Sequence, residues 1–218
     1  MNDPRRDAPF RYDLYQARDA DDMARLLAGV FSQRDPPAYA VGLSAGEFEA
    51  FVRLFCPKAA AEGLTLVARR ADSGEMVGAL LTEDCASAMP EGLDRLSPRF
   101  DPIFDILGQL GHEYWRERPP RFGEALHLFL LGVADSAAGK GVAQHLVARC
   151  LDHGKSRGYR LAVTEATNKV SQHIFRKQGF AERVRRSYAS HRFDGRAVFT
   201  SIADQGGPML MDRLLQSG

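Results

Sequence analysis

The chain has 218 residues, 44% hydrophobic and 26% charged, which excludes a disordered polymer and provides one core that needs no disulfide or metal staple. Its 29 basic and 28 acidic side chains leave a net charge of +1, so broad electrostatic binding to nucleic acid or to an anionic membrane is not expected. Cys56, Cys85 and Cys150 form no CxxC pair, and no apolar run is long enough to span a bilayer, so the expectation is a reduced, cytoplasmic protein. Residues 1–9 are polar and read as a flexible arm before a single domain over 10–218. Alternation from Phe10 to Ala17 predicts a half-buried strand. Asp19 is placed to cap a helix with Met23, Leu26, Leu27, Val30 and Phe31 on one face, and Asp35-Pro36-Pro37 ends it in a loop over 32–43. Ser44 and Glu47 make a capping box for a second helix, whose inner face is Phe48, Phe51, Val52 and Phe55.

Residues 64–69 and 76–82 flank Asp72-Ser73-Gly74 and predict a hairpin. After a loop over 83–98 comes a helix near 100–116 carrying Ile103, Leu107, Leu110 and Tyr114. Residues 125–133 are almost wholly apolar, as a buried strand is. A glycine-rich turn then enters a helix with Val142, Leu146, Val147, Cys150 and Leu151 at helical spacing. A strand over 159–166 and a helix over 168–178 follow, then extended stretches at 182–192 and 197–202 split by Asp194-Gly195. Residues 208–215 read as a strand or a short helix. The element order is that of an α+β domain with a mixed sheet.

The segment Val133-Ala-Asp-Ser-Ala-Ala-Gly139-Lys140-Gly141-Val142-Ala143 joins the buried strand to the amphipathic helix. Small residues there let consecutive N–H groups point outward at a helix N-terminus, a site for a pyrophosphate, and Lys140 adds a point charge. A tight turn into a helix accounts for it equally well. The turn reads Gly139-Lys140-Gly141 with no Ser/Thr after the lysine, and no acidic residue follows at dinucleotide-fold spacing. Taken with the next strand, Asn168, and Ile174-Phe175-Arg-Lys-Gln-Gly179-Phe180, the segment resembles the GNAT superfamily of acetyl-CoA-dependent N-acetyltransferases. The family turn Q/R-x-x-G-x-G/A maps onto Ala138 through Ala143, with Gly141 and Ala143 matching and Ala138 departing at the Gln/Arg position.

That resemblance implies the GNAT acyl-CoA N-acyltransferase fold, mostly antiparallel, with two central parallel strands (125–133 and 159–166) splayed to admit a pantetheine arm. It implies acetyl-CoA as cosubstrate, held by Leu131, Val133, Ala138, Gly139, Lys140, Gly141, Val142, Ala143, Asn168 and Phe175. Many members have a tyrosine at the position of Phe175 as acid to the thiolate, and phenylalanine cannot fill that role. A narrower resemblance covers most of residues 10–215. Phe31-Ser-Gln-Arg-Asp35-Pro36, Gly42-Leu43-Ser44 with Glu47-Phe48, Glu165 through Ser171, and Tyr188 through Phe199 look like the insect dopamine or arylalkylamine N-acetyltransferase branch.

It implies a small primary amine as acceptor, Asp35 as general base, and Thr167 and Ser171 as hydroxyls in proton relay. Aspartate where the branch has glutamate shortens the arm and calls for a bridging water. On sequence alone Asp35 can equally be a loop acceptor, and Thr167 and Ser171 helix-capping and i,i+4 hydroxyls. His127 is a competing base, since imidazole titrates near neutrality, or else a packed core histidine. The other histidines lack metal-site spacing, and no metal is expected. Cys150 reads as core and Cys85 as an exposed loop thiol. An insertion over 83–122, with Phe31, Tyr39 and Trp115, is expected to govern acceptor choice. A protein N-terminus, lysine or antibiotic acceptor, a non-catalytic acyl-CoA-binding module, and a homodimer stay open.

Overall fold

The computed structural model describes residues 9–215; all but the last residue of the arm expected over 1–9 lies outside the described residues. The strands are β1 (Phe10–Leu14), β2 (Leu66–Arg70), β3 (Met76–Asp84), β4 (Ala125–Val133), β5 (Leu161–Ala166), β6 (Ala181–Arg185) and β7 (Met209–Leu214). They form one seven-stranded sheet in the order β1-β2-β3-β4-β5-β7-β6. Every neighbouring pair is antiparallel except β4 and β5, which run parallel. That parallel pairing covers only Ala125–His127 against Leu161–Val163, beyond which the two strands diverge.

The divergence has a visible cause. Leu130 faces Leu81 and Leu128 faces Thr82 across β3, so Phe129 is an extra residue on β4. Such a bulge bends its strand and puts two successive side chains on one side. Leu128 accordingly packs into one core and Leu130 into the other, although an unbroken strand would send both the same way. The carbonyl of Leu128 accepts a hydrogen bond from Thr164 Oγ1 at 2.8 Å, which latches the strands where the ladder stops.

Helices cover both faces. On one lie α1 (Ala20–Arg34), α2 (Pro36–Ala40), α3 (Ala45–Glu62) and α4 (Asp101–Tyr114), sharing a core with Ala79, Leu81 and Leu130. On the other lie α5 (Val142–Ser156) and α6 (Lys169–Lys177), packed on Leu66, Val77, Leu80 and Leu126. The capping box of α3 forms as expected, with Ser44 N donating to Glu47 Oε2 at 2.9 Å. Gly132 lets α1 approach the sheet: a Cβ there would lie 2.7 Å from Leu27 Cδ2.

Several expectations are corrected. The first strand stops at Leu14, because residues 17–19 make a 3-10 turn in which Asp19 accepts from Gln16 N at 3.0 Å. Asp19 therefore does not cap α1 with its side chain; its carboxylate pairs with Arg69 at 2.7 Å. The expected loop over 32–43 is largely helical, since proline in a first turn loses no intrahelical bond and Pro36 opens α2. Of 182–192 only the first part is strand, and 197–202 is none: Thr200–Gln205 is a 3-10 segment that buries Ile202. Residues 209–214 are a strand, inserted between β5 and β6. Cys85 is half-buried, not exposed, and burial, with Glu165, Asp84 and Glu83 nearby, pushes its thiol up. Cys150 is core, as expected. No described helix is long and apolar enough to cross a membrane.

Candidate active site

Where β4 leaves β5, a cavity of about 400 Å³ opens between the sheet and the helices α1, α3 and α4. Its walls include Phe31, Phe48, Phe51, Phe100, Phe104 and Phe129. Phe31 stacks on Phe48 with centroids 5.0 Å apart, and Phe100 on Phe104 at 5.4 Å. Such rings present a rigid apolar surface suited to another flat or aliphatic group.

Asp35 sits at the seam of two helices, as the last cap of α1 and the first of α2. Its Oδ1 accepts from Thr167 Oγ1 at 2.5 Å and its Oδ2 from Ala38 N at 3.4 Å. Burial pushes its carboxyl up to about 6, against the opposing pull of these two bonds. Thr167 is anchored in turn, its carbonyl accepting from Tyr188 Oη at 2.8 Å. Burial, and then the Asp35 charge, keep the Tyr188 phenol protonated.

Asp35 and Thr167 are thus brought together as the resemblance implied, while Ser171 is not. Asn168, not Thr167, is the N-cap of α6, and Ser171 Oγ donates to the Asn168 carbonyl at 2.9 Å. Both line the cavity, but the Ser171 hydroxyl is committed to the cap and makes no bond to Asp35 or Thr167.

His127 is neither a free base nor a simple core residue. Its Nδ1 lies 3.0 Å from Glu83 Oε1 and its Nε2 2.6 Å from Glu165 Oε2. Burial alone would lower its pKa; Glu165 and Glu83 outweigh that and raise it well above the usual imidazole value. Already protonated at neutral pH, the ring has no lone pair for a substrate proton. Lys58 Nζ holds the other oxygen of Glu83 at 2.5 Å. Glu83, Glu165 and Lys58 were not singled out from sequence, although Thr82-Glu83-Asp84 is a polar run closing an otherwise apolar strand, which is a usable signal.

The glycine turn adopts the geometry an anion needs. Gly139 and Gly141 have φ of +70° and +78°, the left-handed region that side chains rarely enter. None of the N–H groups from Gly139 through Gln144, Val142 and Ala143 included, donates to an acceptor among the described residues, and they open the fifteen-residue α5. Ala138 N is taken by Asp135, and Lys140 Nζ bonds the Ser136 carbonyl at 3.0 Å. Leu131 lines the cavity, whereas the Val133 carbonyl accepts from Arg34 Nη2 at 3.0 Å. Phe175 is buried edge-on against Phe180 and also reaches the cavity wall. Free amides beside a gap between parallel strands fit a long pyrophosphate-bearing thioester such as acetyl-CoA.

The comparisons with known proteins agree with this geometry. A model of the acetyltransferase (GNAT) family matches residues 46–180. Among solved structures, the C-terminal condensation domain of Ebony, in complex with beta-alanyl-dopamine, is similar at 12% identity and a TM-score of 0.85, covering 94% of this chain and 98% of that one. Arylalkylamine N-acetyltransferase 2 of Aedes aegypti is similar at 19% identity and a TM-score of 0.81, covering 96% and 100%. The Drosophila melanogaster polyamine N-acetyltransferase, an enzyme that forms N-acetylagmatine, is similar at 15% identity and a TM-score of 0.76, covering 94% and 99%. At such identities the structural likeness speaks for the fold. The family match spans the turn, the split strands and the helix behind them, and by it the chain belongs to the acetyltransferase (GNAT) family.

Proposed function

We propose that the chain transfers an acetyl group from acetyl-CoA to the primary amine of a small, arylalkylamine-like acceptor. The observation that carries this reading is the buried Asp35 carboxylate, with its pKa near 6, hydrogen-bonded to Thr167 on the wall of an aromatic cavity. Acetyl-CoA, when bound, supplies the thioester carbonyl that the amine nitrogen attacks.

The chain's own residues supply the rest. An alkylammonium must lose a proton before it can attack, and a carboxylate of raised pKa is a stronger base than an ordinary aspartate while still ionised at pH 7. Thr167 Oγ1 stands in position to take the amine proton as it passes its own to Asp35. The free amides from Gly139 to Gln144 hold the pyrophosphate, and the gap between β4 and β5 orients the arm. Phe175 excludes water but offers no proton, and the Tyr188 hydroxyl is already committed to Thr167. The departing thiolate is a tolerable leaving group that solvent can protonate. A walled cavity of about 400 Å³ favours a small amine over an extended peptide.

The test is thiol release from acetyl-CoA with arylalkylamines, polyamines and peptides. Turnover with small amines is expected, and turnover with peptides alone would overturn the reading. Asp35→Asn should lower kcat about 100-fold or more and remove the fall in activity that wild type shows as pH drops through about 6.

A further inference from the structure

Glu165 precedes Thr167 by two residues, so the two side chains share a face, about 7 Å apart along the strand direction. Both line the cavity, with the aromatic side chains around them. Glu165 uses Oε2 for His127; its Oε1 receives no hydrogen bond among the described residues. A carboxylate oxygen without a donor, on the wall of a largely aromatic and aliphatic chamber, is completed by a donor on whatever fills that chamber.

The charge around it says which kind of donor. Lys58 and protonated His127 balance Glu83 and Glu165 in one hydrogen-bonded row. Glu62, 3.8 Å from Lys58, adds a third carboxylate at the end of the row remote from Glu165, and of these groups only His127 and Glu165 line the cavity, as a matched pair. Phe129 lies 5.0 Å from the His127 ring. A second ammonium here would be stripped of water beside an anion already matched by a cation, whereas a neutral hydroxyl loses far less on entering.

We propose that Glu165, gripped by His127 and backed by Glu83 and Lys58, is a specificity-determining residue that accepts a hydrogen bond from a hydroxyl at the end of the acceptor remote from its reacting amine. The inference rests on the amine-acetylation reading. The amine lies at Asp35 and Thr167, an aromatic ring lies among the phenylalanines, and the ring hydroxyl reaches Glu165 Oε1.

Tyramine and phenethylamine, which differ by that one hydroxyl, test it, with agmatine as the cationic probe. In wild type, kcat/KM for tyramine should exceed that for phenethylamine about tenfold, the size of one hydrogen bond to a charged acceptor. Glu165→Gln should bring that ratio close to one, and Glu165→Ala should do the same, with thermal melts confirming that each variant folds. A ratio near one in wild type, or a ratio that Glu165→Gln leaves unchanged, would overturn the assignment. So would a preference for agmatine that Glu165→Gln abolishes, which would mark a cation subsite instead. If no amine is acetylated, the proposed activity falls, and calorimetry on the CoA-bound protein decides the subsite separately. Tighter binding of tyramine than phenethylamine, lost in Glu165→Gln, upholds it; equal binding overturns it.

Discussion

Asp35 is expensive to keep where it is. Its carboxyl has an ordinary value of 3.8 and is raised to about 6 by burial, so the fold favours the protonated form. That favour is complete below about pH 4 and is lost as pH rises through 6, leaving an ionised group that costs about 3 kcal/mol. Asp35→Asn should therefore melt roughly 5 to 10 °C above wild type at pH 8 and alongside it at pH 4, as melting curves across that range would read. Gain of stability with loss of activity is the pattern of a group kept for chemistry. Tyr188 acts one step further out. Tyr188→Phe leaves the Thr167 carbonyl without its donor and should lower kcat severalfold, while leaving KM for acetyl-CoA unchanged. Steady-state kinetics separate that from a general loosening of the fold, which would move both. Of these residues Asp35 was reachable only through the resemblance carried by Phe31-Ser-Gln-Arg-Asp35-Pro36, since its place before two prolines reads equally as a loop acceptor. The partners of His127 were not, because Glu83 comes from β3 and Glu165 from β5, and only the sheet register sets them on either side of the ring.

At the scale of elements, local patterns were good guides wherever the local chain decides. The capping box at Ser44, the apolar run of β4 and the stripe of α5 each follow from spacing along one segment. Ala197-Val198-Phe199-Thr200-Ser201-Ile202 misleads for the same reason. Phe199 and Ile202 do go inside, but the segment pairs with no strand, and a 3-10 turn buries both. The turn before α5 lies between these cases. Its glycines announced a cradle, and the structure adds that Gly139 and Gly141 hold left-handed φ values. Gly141→Val should raise KM for acetyl-CoA tenfold or more with a smaller change in amine KM, since a β-branched residue resists that conformation and would close the amide fan. Initial-rate measurements varying one substrate at a time would show it.

For the whole molecule, the sheet is held together at its centre by a short parallel ladder, the Thr164 latch and the His127–Glu165 pair, with a separate core on each face. A ligand threaded between β4 and β5 would bridge the side carrying β1 to β3 and the side carrying β6 and β7. CoA at one hundred times its dissociation constant should therefore stabilise the protein by about 2.7 kcal/mol, raising Tm by several degrees. Scanning calorimetry with and without CoA checks this, and a flat response would count against the gap as the binding site.

The gap itself traces to Phe129. Phe129 and Leu130 share one side of β4, so taking Phe129 out would leave every other β4 side chain on its present face while removing the bend. Substitutions along the strand change the lining of the opening but not the register that makes it. A single in-frame deletion, by contrast, is expected to let β4 zip against β5 to the end. The result would be a tidier and inert protein, one codon away from the enzyme.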